Sequence, residues 1–362
     1  MEDSNKKKSI AFLIPSLQQG GLENAVTVIS NSLSERNIKV YIICAYNKEI
    51  FYNLNSNVII LCPSYERSNY SSFLYYYKTF VFFKRKIKTI SPDVILSYGD
   101  YLNPISILSN ISIGLPIFIS DRSSPDKVFP LAINILRKIL YSRSSGIIAQ
   151  TNRARIQKVN MLPGYDKIEV IPNPIRSIKN YPDLQKENII LAIGRHYPVK
   201  GLDRLLKSYS NVKVSDWKLV IAGSFGPQTS ELQKLARDLG IEDQVEFLGA
   251  VKEIDEIFAK SKIFVLTSRS EGFPNALIEA MAHGLPCISF DIVAGPAEII
   301  KNNINGILIA DNDIKSMSQS IKELMLNDEL RKSLGKEALK IKNELSIDTI
   351  TDKFVDFIKI NK

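Results

Sequence analysis

Histidine and cysteine are scarce in this sequence, and their scarcity excludes two classes of domain. Only two His and three Cys occur among 362 residues. The cysteines, Cys44, Cys62 and Cys287, lie inside apolar runs at spacings that match no zinc framework. They are therefore predicted to be buried free thiols of a protein in a reducing compartment. Neither a structural zinc module nor a disulfide-stapled domain is expected.

Long hydrophobic runs are also absent. No stretch reaches the roughly 18 consecutive apolar residues that a membrane-spanning helix requires. The segment KKKSIAFLIPSL at 6–17 has the charge and hydrophobicity of a signal peptide, but no small-residue cleavage site follows it. We interpret it as a first buried strand, and the sequence predicts a cytoplasmic protein.

The excess of positive charge lies in one half of the chain. Residues 1–175 contain 21 Lys and Arg against 12 Asp and Glu, whereas residues 176–362 contain 26 of each. The whole net charge of +9 therefore belongs to the first half. A basic surface is typical of proteins that meet an anionic partner, such as nucleic acid, acidic lipid headgroups or a pyrophosphate.

Short apolar runs alternate with longer amphipathic segments throughout the chain. Seven such runs, from IAFLIP to IEVIPN, precede a polar stretch with three prolines at 172–188, and six more follow it. Continuous apolar strands separated by helices indicate a parallel sheet covered on both faces. The sequence thus predicts an α/β protein of two doubly wound, Rossmann-like domains, 1–175 and 176–362, that face each other across a cleft. The final helix is free to pack back on the first domain.

The most specific motif, SEGFPNALIE, follows the strand-like run IFVLTS. Pro274 near its start and Gly284 beyond its end predict a short helix, and the amino terminus of such a helix suits a phosphate. Glu279 on this helix can accept hydrogen bonds from the hydroxyls of a ribose, and Glu271 in the preceding loop can reach a sugar ring. Glutamates near a helix start also favour the helix dipole without any ligand, and that alternative stays open.

Two further loops of the second half suit a diphosphate. Arg195 and Lys200 follow the run ILAIG, and a fork-shaped guanidinium beside a point-charge ammonium can hold paired phosphates. A solvated turn is the alternative for this pair. Gly223 ends the run KLVIAG, where the loop allows a ligand to approach the backbone closely.

A glycine turn at 20–23 and an Asp-x-Asp at 311–313 each resemble a binding motif only in part. Gly20, Gly21 and Glu23 form a strand-to-helix turn in the first half, but their spacing is not that of the dinucleotide-binding fingerprint. Asp311 and Asp313 form the only Asp-x-Asp and are predicted to cap the helix that follows rather than to bind a metal. No metal is expected, because cations and a helix terminus can neutralise phosphate.

These pieces, in this order, resemble the retaining glycosyltransferases of family 4, which have the two-domain GT-B architecture. The resemblance covers nearly the whole chain: GGLE, VIPNP, IGRHYPVKGLDRLL, IAGSFGP, VEFLGAV and the E-x7-E element EGFPNALIE. It implies that Glu279 binds the donor ribose and that Glu271 contacts the transferred sugar. Arg195 and Lys200 would hold the diphosphate together with backbone N–H groups of 275–277. The remaining donor-binding positions are Gly223, Val251, Phe273, Pro274, Asn275, Ala276 and Leu277, and Gly20, Gly21 and Glu23 form the acceptor and phosphate loop.

The first half departs from the family's pattern at one point. Many relatives carry a histidine at the end of a first-domain strand, whereas both histidines here lie in the second half. The matching strand ends in Asp121 and Arg122, within SDRSSP, a variant similar to the subgroup that builds bacterial surface polysaccharides such as O-antigen and capsule. The resemblance implies a catalytic role for these two residues, and a salt bridge within the loop is the alternative.

An aromatic and basic segment spans residues 70–88. Its rings precede Lys84, Arg85, Lys86 and Lys88. Such a segment can lie at a membrane interface, with its rings buried and its cations on anionic headgroups. A helix that packs on the sheet with some of its rings in the core is the alternative.

The resemblance implies a retaining, metal-independent glycosyltransferase without a cofactor. Its expected reaction moves a hexosyl or N-acetylhexosaminyl unit from a UDP-sugar to a polyprenyl-diphosphate-linked saccharide, at the inner face of the cytoplasmic membrane. A sugar-nucleotide epimerase of GT-B architecture, which needs no acceptor, is a second hypothesis. A basic nucleic-acid-binding α/β protein is a third, but the most specific motif lies in the half without net charge, so no nucleic acid is expected. The sugar, the linkage, the nucleotide base and the oligomeric state stay open.

Overall fold

The chain divides into two compact units in a computed structural model that describes residues 7–212, 214 and 216–360. One unit runs through Arg176 and resumes at Leu345, and the other is Ser177–Glu344. The boundary lies one residue beyond the end of the first predicted domain. The segment from Leu345 onward belongs to the first unit, so the predicted second domain, 176–362, ends earlier in the structure.

The first unit contains a seven-stranded parallel sheet. Its strands are β1 (Ser9–Ile14), β2 (Lys39–Cys44), β3 (Ile59–Leu61), β4 (Val94–Tyr98), β5 (Ile117–Ser120), β6 (Gly146–Ala149) and β7 (Ile168–Val170). They lie in the order β3-β2-β1-β4-β5-β6-β7 and pair in parallel. Every apolar run of the first half therefore forms a strand, as predicted, because strands buried on both faces read as continuous apolar runs.

Helices cover both faces of this sheet. They are α1 (Gly21–Glu35), α2 (Ser72–Ile90), α3 (Leu102–Asn110), α4 (Leu131–Leu140) and α5 (Asn152–Met161). The strand order runs in opposite directions from β1, so right-handed crossovers place α1 on one face and α2 to α5 on the other. In agreement, α2 packs against α3, and α3 packs against α4.

The second unit repeats this design with six parallel strands. They are β8 (Ile189–Ile193), β9 (Lys218–Ala222), β10 (Val245–Gly249), β11 (Ile263–Leu266), β12 (Cys287–Asp291) and β13 (Ile307–Ala310), in the order β10-β9-β8-β11-β12-β13. Its helices are α6 (Leu202–Ser210), α7 (Thr229–Asp238), α8 (Ile254–Lys260), α9 (Asn275–Ala282), α10 (Pro296–Ile299), α11 (Ile314–Leu326), α12 (Asp328–Ala338) and α13 (Ile341–Glu344). The prediction of two doubly wound, Rossmann-like halves is confirmed.

The last helix, α14 (Ile347–Ile358), returns to the first unit and packs against α1. The ring of Phe357 lies 5.3 Å from that of Phe118 on β5. Gly146 on β6 makes room for Phe357, since a Cβ atom at position 146 would lie 2.7 Å from its ring. Directly after α1, Arg36 forms ion pairs with two aspartates of α14.

The cysteine prediction is correct for two of the three thiols. Cys44 and Cys287 are buried, but Cys62 is only half-buried, so the expectation of burial is wrong there. Cys62 follows β3, which is the edge strand of its sheet and has a neighbour on one side only. All three thiols are free.

The capping prediction for the Asp-x-Asp motif is confirmed. Asp313 precedes α11, and its carboxylate accepts the backbone N–H of Ser316 at 3.0 Å. Among the described residues, none of the helices combines the length and the hydrophobicity that crossing a bilayer requires. In the same part of the chain, His, Cys, Asp and Glu side chains do not form a group of three that could hold a metal ion.

Candidate functional site

The predicted donor-site residues Arg195, Lys200 and Glu271 lie at the point where the second sheet reverses its strand order. Neighbouring strands β8 and β11 lead into the loop that holds Lys200 and into the loop that holds Glu271. Loops that diverge at such a switch point leave a crevice at the carboxyl ends of the strands, where ligands of open α/β sheets bind. The fold thus brings together two motifs that are far apart in sequence.

Lys200 and Glu271 are in direct contact. The ammonium of Lys200 donates a hydrogen bond to Oε1 of Glu271 at 2.6 Å, and the hydroxyl of Ser268 donates to the same oxygen at 2.6 Å. The lysine side chain is 23% exposed and the glutamate side chain 11%. Part of the lysine side chain therefore still faces solvent. Arg195 is exposed, with its guanidinium 5.4 Å from the ring centre of Tyr197.

Two arginines that the sequence analysis did not single out hold these loops in place. Arg204 on α6 is 3% exposed and donates to the carbonyl oxygens of Thr267 and Ser268 at 2.7 and 2.6 Å. Arg269 pairs with Asp203 through two hydrogen bonds of 2.7 Å. The sequence does contain an indication that Arg204 is buried, because it is a cation between the apolar residues of an amphipathic helix.

Gly201 allows α6 to approach the end of β11. Its φ is +60°, and a Cβ atom there would lie 2.0 Å from the carbonyl oxygen of Thr267. That carbonyl is backbone and is itself held by an arginine, so it has little freedom to move. The glycine in the motif KGLDRLL is therefore required by a close backbone contact as well as by its conformation.

We expect Gly201→Ala to destabilise the second unit more than Gly240→Ala. Both glycines have left-handed backbone, with φ of +60° and +66°, so an alanine at either position costs about 1–2 kcal/mol in conformational strain. A Cβ atom at Gly240 would meet no heavy atom within 4 Å. The difference in unfolding free energy, measured by urea denaturation, isolates the contact with Thr267. Equal losses in the two variants would show that this contact is unimportant.

The motif helix begins and ends as predicted. α9 starts directly after Pro274, and Gly284 beyond its end has a φ of +71°. The N–H groups of Asn275 and Leu277 donate to the carbonyl oxygens of Phe273 and Pro274, each at 3.0 Å. Two of the three N–H groups predicted to hold phosphate are thus bonded within their own turn. Glu279 is half-buried on the second turn.

The ends of β8, β9 and β10 are drawn closely together. The N–H of Gly223 donates to the carbonyl oxygen of Gly249 at 2.8 Å. A Cβ atom at Gly223 would lie 2.2 Å from the carbonyl oxygen of Gly194. Val251, predicted to meet the base, is half-buried two residues after β10. At these strand ends the glycines allow the backbones to lie in close contact.

In the first unit, Gly20, Gly21 and Glu23 lie beyond the end of β1, where the first sheet reverses its strand order. α1 begins at Gly21, and Glu23 lies in its first turn. Tyr52 holds this loop, because its hydroxyl accepts the N–H of Gly20 at 3.2 Å and donates to the carbonyl oxygen of the same residue at 3.0 Å. No local pattern around Tyr52 indicated this contact.

Asp121 is buried within a cluster of charged and polar side chains. Its carboxylate lies 2.5 Å from Nη2 of Arg137 and 2.6 Å from Nζ of Lys158. It also accepts hydrogen bonds from the hydroxyl of Tyr141 at 2.6 Å and from the amide of Asn103 at 3.0 Å. The carboxylate is fully used by protein partners, and a direct part for Asp121 in catalysis stays a prediction.

This cluster shifts the pKa values of its two carboxyl groups in opposite directions. Burial alone would raise the pKa of Asp121. The positive charges of Lys158 and Arg137 lower it by more than burial raises it, so the pKa of Asp121 lies well below the usual range. Burial, and then the neighbouring charge of Asp121, raise the pKa of Asp100. The cluster therefore keeps Asp121 ionised at neutral pH.

The guanidinium of Arg122 contacts residues outside this cluster. Its Nη1 donates to Oδ1 of Asn173 at 2.6 Å, and its guanidinium lies 4.3 Å from the ring centre of Tyr98. The backbone N–H of Arg122 donates to Oδ2 of Asp100 at 3.4 Å. Asn173 is the asparagine of the linker motif VIPNP, and the same oxygen accepts from Gln150 at 3.1 Å. The motif was recognised in the sequence, but its partner was not.

The two halves of the chain match two family models. Residues 19–177 match the model described as Glycosyltransferase Family 4, and residues 175–341 match the model described as Glycosyl transferases group 1. The two matches meet at the boundary between the structural units.

Similar proteins occur in bacteria. The chain is 28% identical, over 96% of its length and 98% of the relative's, to the GalNAc-α-(1→4)-GalNAc-α-(1→3)-diNAcBac-PP-undecaprenol α-1,4-N-acetyl-D-galactosaminyltransferase of Campylobacter jejuni. It is 27% identical, over 94% of its length and 96% of the relative's, to the amylovoran biosynthesis glycosyltransferase AmsD of Erwinia amylovora. Among solved structures, it resembles Anabaena HepE in complex with UDP, with a TM-score of 0.80 at 16% identity over 97% and 99% of the two chains. The expected GT-B fold is thereby confirmed.

Proposed function

Because the chain belongs to the family 4 glycosyltransferases, we propose that it transfers a hexosyl or N-acetylhexosaminyl unit from a UDP-sugar to a lipid-linked saccharide. The setting is the synthesis of a bacterial surface polysaccharide. The observation that carries the proposal is the contact between Lys200 and Glu271 at the switch point of the second sheet, beside the first turn of α9.

In the proposed reaction, the diphosphate leaves with negative charge that the protein neutralises. Lys200, Arg195 and the amino terminus of α9 supply positive charge from loops of one unit. Preorganised positive groups at a leaving group are commonly worth a few kcal/mol each. With this charge in place the reaction needs no divalent cation, so we propose that it is independent of metal and of any other cofactor.

The other predicted residues keep their roles within this proposal. Glu279 binds the ribose and Glu271 the transferred sugar, while Val251 meets the base through its backbone. The acceptor hydroxyl arrives on the face of the sugar from which the diphosphate leaves, so that the configuration of the sugar is retained. The loop of Gly20, Gly21 and Glu23 acts on the acceptor or on phosphate, and Arg122 takes part in catalysis.

Two of the relatives support the choice of donor and acceptor. HepE has been solved with UDP bound, and the name of the Campylobacter jejuni relative gives an undecaprenol-diphosphate saccharide as its acceptor. An acceptor of this kind lies in a membrane, so we also propose that the enzyme works at the inner face of the cytoplasmic membrane. The basic first unit would meet that surface.

Thermal melting in EDTA with UDP, GDP, ADP or no ligand tests the donor site. We expect one nucleotide, UDP, to raise the Tm by several degrees, because a ligand at 100 times its Kd adds about 2.7 kcal/mol of stability. Glu279→Ala should abolish the rise. Glu231→Ala, at an exposed glutamate in the first turn of α7, should keep it.

Two results would contradict the proposal. One is the absence of a rise with all three nucleotides. The other is conversion of the UDP-sugar to its epimer when no acceptor is present, which would identify an epimerase instead.

A further inference from the structure

Helix α4 carries most of its apolar side chains on the outside. Leu131, Ile135 and Ile139 follow one another at intervals of four and are 75%, 49% and 56% exposed. Val128, just before the helix, is 89% exposed. A helix on the surface of a globular protein normally turns such a stripe toward the core. In α4, the buried residues are Leu140 and a charged one, Arg137, which is 2% exposed.

The buried ion pair explains how α4 holds this inverted orientation. Arg137 reaches Asp121 at 2.5 Å and lies 4.3 Å from the ring centre of Phe129. A buried arginine that lost its carboxylate partner would be strongly unfavourable, so rotation of the helix about its axis is opposed. The pair therefore fixes the apolar stripe of α4 toward the surface.

Other helices on the same face of the sheet extend this apolar surface. On α2, Phe73, Tyr77 and Val81 also follow one another at intervals of four and are 84%, 57% and 45% exposed. On and after α3, Leu108 and Ile111 are 39% and 48% exposed. Because α2 packs on α3, and α3 on α4, these side chains belong to one layer. Exposed apolar surface of this extent marks an interaction site.

The charge of this layer is almost entirely positive. Residues 67–165 contain 14 Lys and Arg but only four Asp, and two of those aspartates, Asp100 and Asp121, are buried. The exposed cations of this segment are Arg67, Arg85, Lys88, Lys127, Lys138, Arg143, Arg153 and Arg155. On the opposite face, α14 has three aspartates and one lysine. The net positive charge of the chain thus lies on the same face as the exposed apolar side chains.

We propose that the layer formed by α2 to α5 is a membrane-binding surface, with α4 as the helix that enters the interface of an anionic phospholipid bilayer. Protruding aliphatic and aromatic side chains flanked by Lys and Arg are the composition of interfacial helices. A second copy of the chain is a poorer occupant, because two such layers face to face would repel each other. The inference rests on the proposed function in one respect, since a lipid-linked acceptor has to be reached at a membrane.

Binding of the full chain to vesicles tests this surface. The probe is sedimentation with vesicles of equal parts phosphatidylglycerol and phosphatidylcholine, compared with phosphatidylcholine alone. A variant with Leu131→Gln, Ile135→Gln and Ile139→Gln should bind the anionic vesicles at least tenfold more weakly than the unaltered chain. The control variant, Val293→Gln with Ile304→Gln and Leu326→Gln, alters side chains of the second unit that are 43%, 55% and 66% exposed. It should bind as the unaltered chain does.

A basic-residue variant tests the electrostatic part. Lys127→Gln, Lys138→Gln and Arg143→Gln together should remove most of the preference for phosphatidylglycerol and most of the salt dependence of binding. Both α4 variants should keep the Tm and the rise in Tm with UDP, because the altered side chains are exposed and lie outside the candidate site.

Three outcomes would overturn the proposal. They are equal vesicle binding by the α4 variant and the control, no binding by the unaltered chain, and a dimer of the unaltered chain that becomes a monomer in the α4 variant. None of these outcomes would change the UDP-dependent rise in Tm, which tests the donor site. Failure of the membrane surface can therefore be distinguished from failure of the proposed transferase function.

Discussion

Replacing Lys200 with alanine is expected to lower kcat by about 10²–10³ while the Tm stays unchanged. The ammonium of Lys200 is proposed to stabilise the charge of the departing diphosphate, and removal of one preorganised group of this kind commonly costs about 3–4 kcal/mol in the transition state. The lysine side chain is 23% exposed, and the hydroxyl of Ser268 still donates to Oε1 of Glu271 when the lysine is removed, so we expect folding to depend on it little.

A matched control is Lys207→Ala, at an exposed lysine on α6 that lies outside both loops. Its kcat and Tm should equal those of the unaltered enzyme. The measurement is transfer from a UDP-sugar to a soluble saccharide acceptor, together with thermal melting of each variant. A kcat for Lys200→Ala close to that of the control would remove Lys200 from the mechanism.

Replacing Asp121 with asparagine is expected to destabilise the first unit by about 3–5 kcal/mol at neutral pH. The substitution keeps the shape of the side chain but leaves Arg137 and Lys158 buried without their shared carboxylate, which is the costly way to break a buried ion pair. For a unit of this size the loss corresponds to a fall in Tm of roughly 6–20 degrees. Asp126→Asn, at an exposed aspartate of the same loop, should change stability by less than about 0.5 kcal/mol.

The pH dependence of this loss has a definite sign. The pKa of Asp121 is lower in the folded chain than in the unfolded chain, so its contribution to stability is present above the unfolded value of about 3.9. That contribution disappears as the pH falls through the folded value. The difference in unfolding free energy between Asp121→Asn and the unaltered chain should therefore be full at neutral pH and shrink below about pH 4.

These measurements also decide between two roles of Asp121. If Asp121→Asn kept its Tm and lost kcat, the carboxylate would take part in catalysis directly and the structural account would be wrong. If it lost Tm as expected, the residue would act through the loop that carries Arg122. The rise in Tm with UDP, which depends on the second unit, is a useful internal reference in both cases.

The predictions from sequence succeeded where the cause of the structure is local. Each strand could be located because a strand buried on both faces is a continuous apolar run between turn residues. α9 could be bounded because Pro274 and Gly284 fix the backbone next to them. Asp313 could be recognised as a cap because its bond to Ser316 spans three residues. In each case the information lies within a few positions of the element itself.

The partners of the buried polar side chains could not be found in this way. Arg204 contacts the end of β11, and Arg122 contacts Asn173, over separations of more than fifty residues. The residues near Arg137 in the sequence do not indicate that its side chain is buried. Its side chain points inward because it pairs with the carboxylate of Asp121, which lies on another element. The aromatic rings of the segment 70–88 could not be assigned to core or surface either. Its helix α2 buries Tyr75 and exposes Phe73, and the packing of α2 on its neighbours decides which ring is buried.

The sequence by itself determined the α/β class, the two repeated halves, the loops that carry the donor motif and the half that holds the net charge. Those features follow from hydrophobic periodicity, backbone-specific residues and composition, all of which act over short distances. The tertiary structure alone decided that Lys200 meets Glu271, that Asp121 is enclosed by cations, and that α4 presents its apolar stripe to the surface. These features depend on which strands become neighbours and on which buried charges find partners, and both are fixed only when the whole sheet has formed.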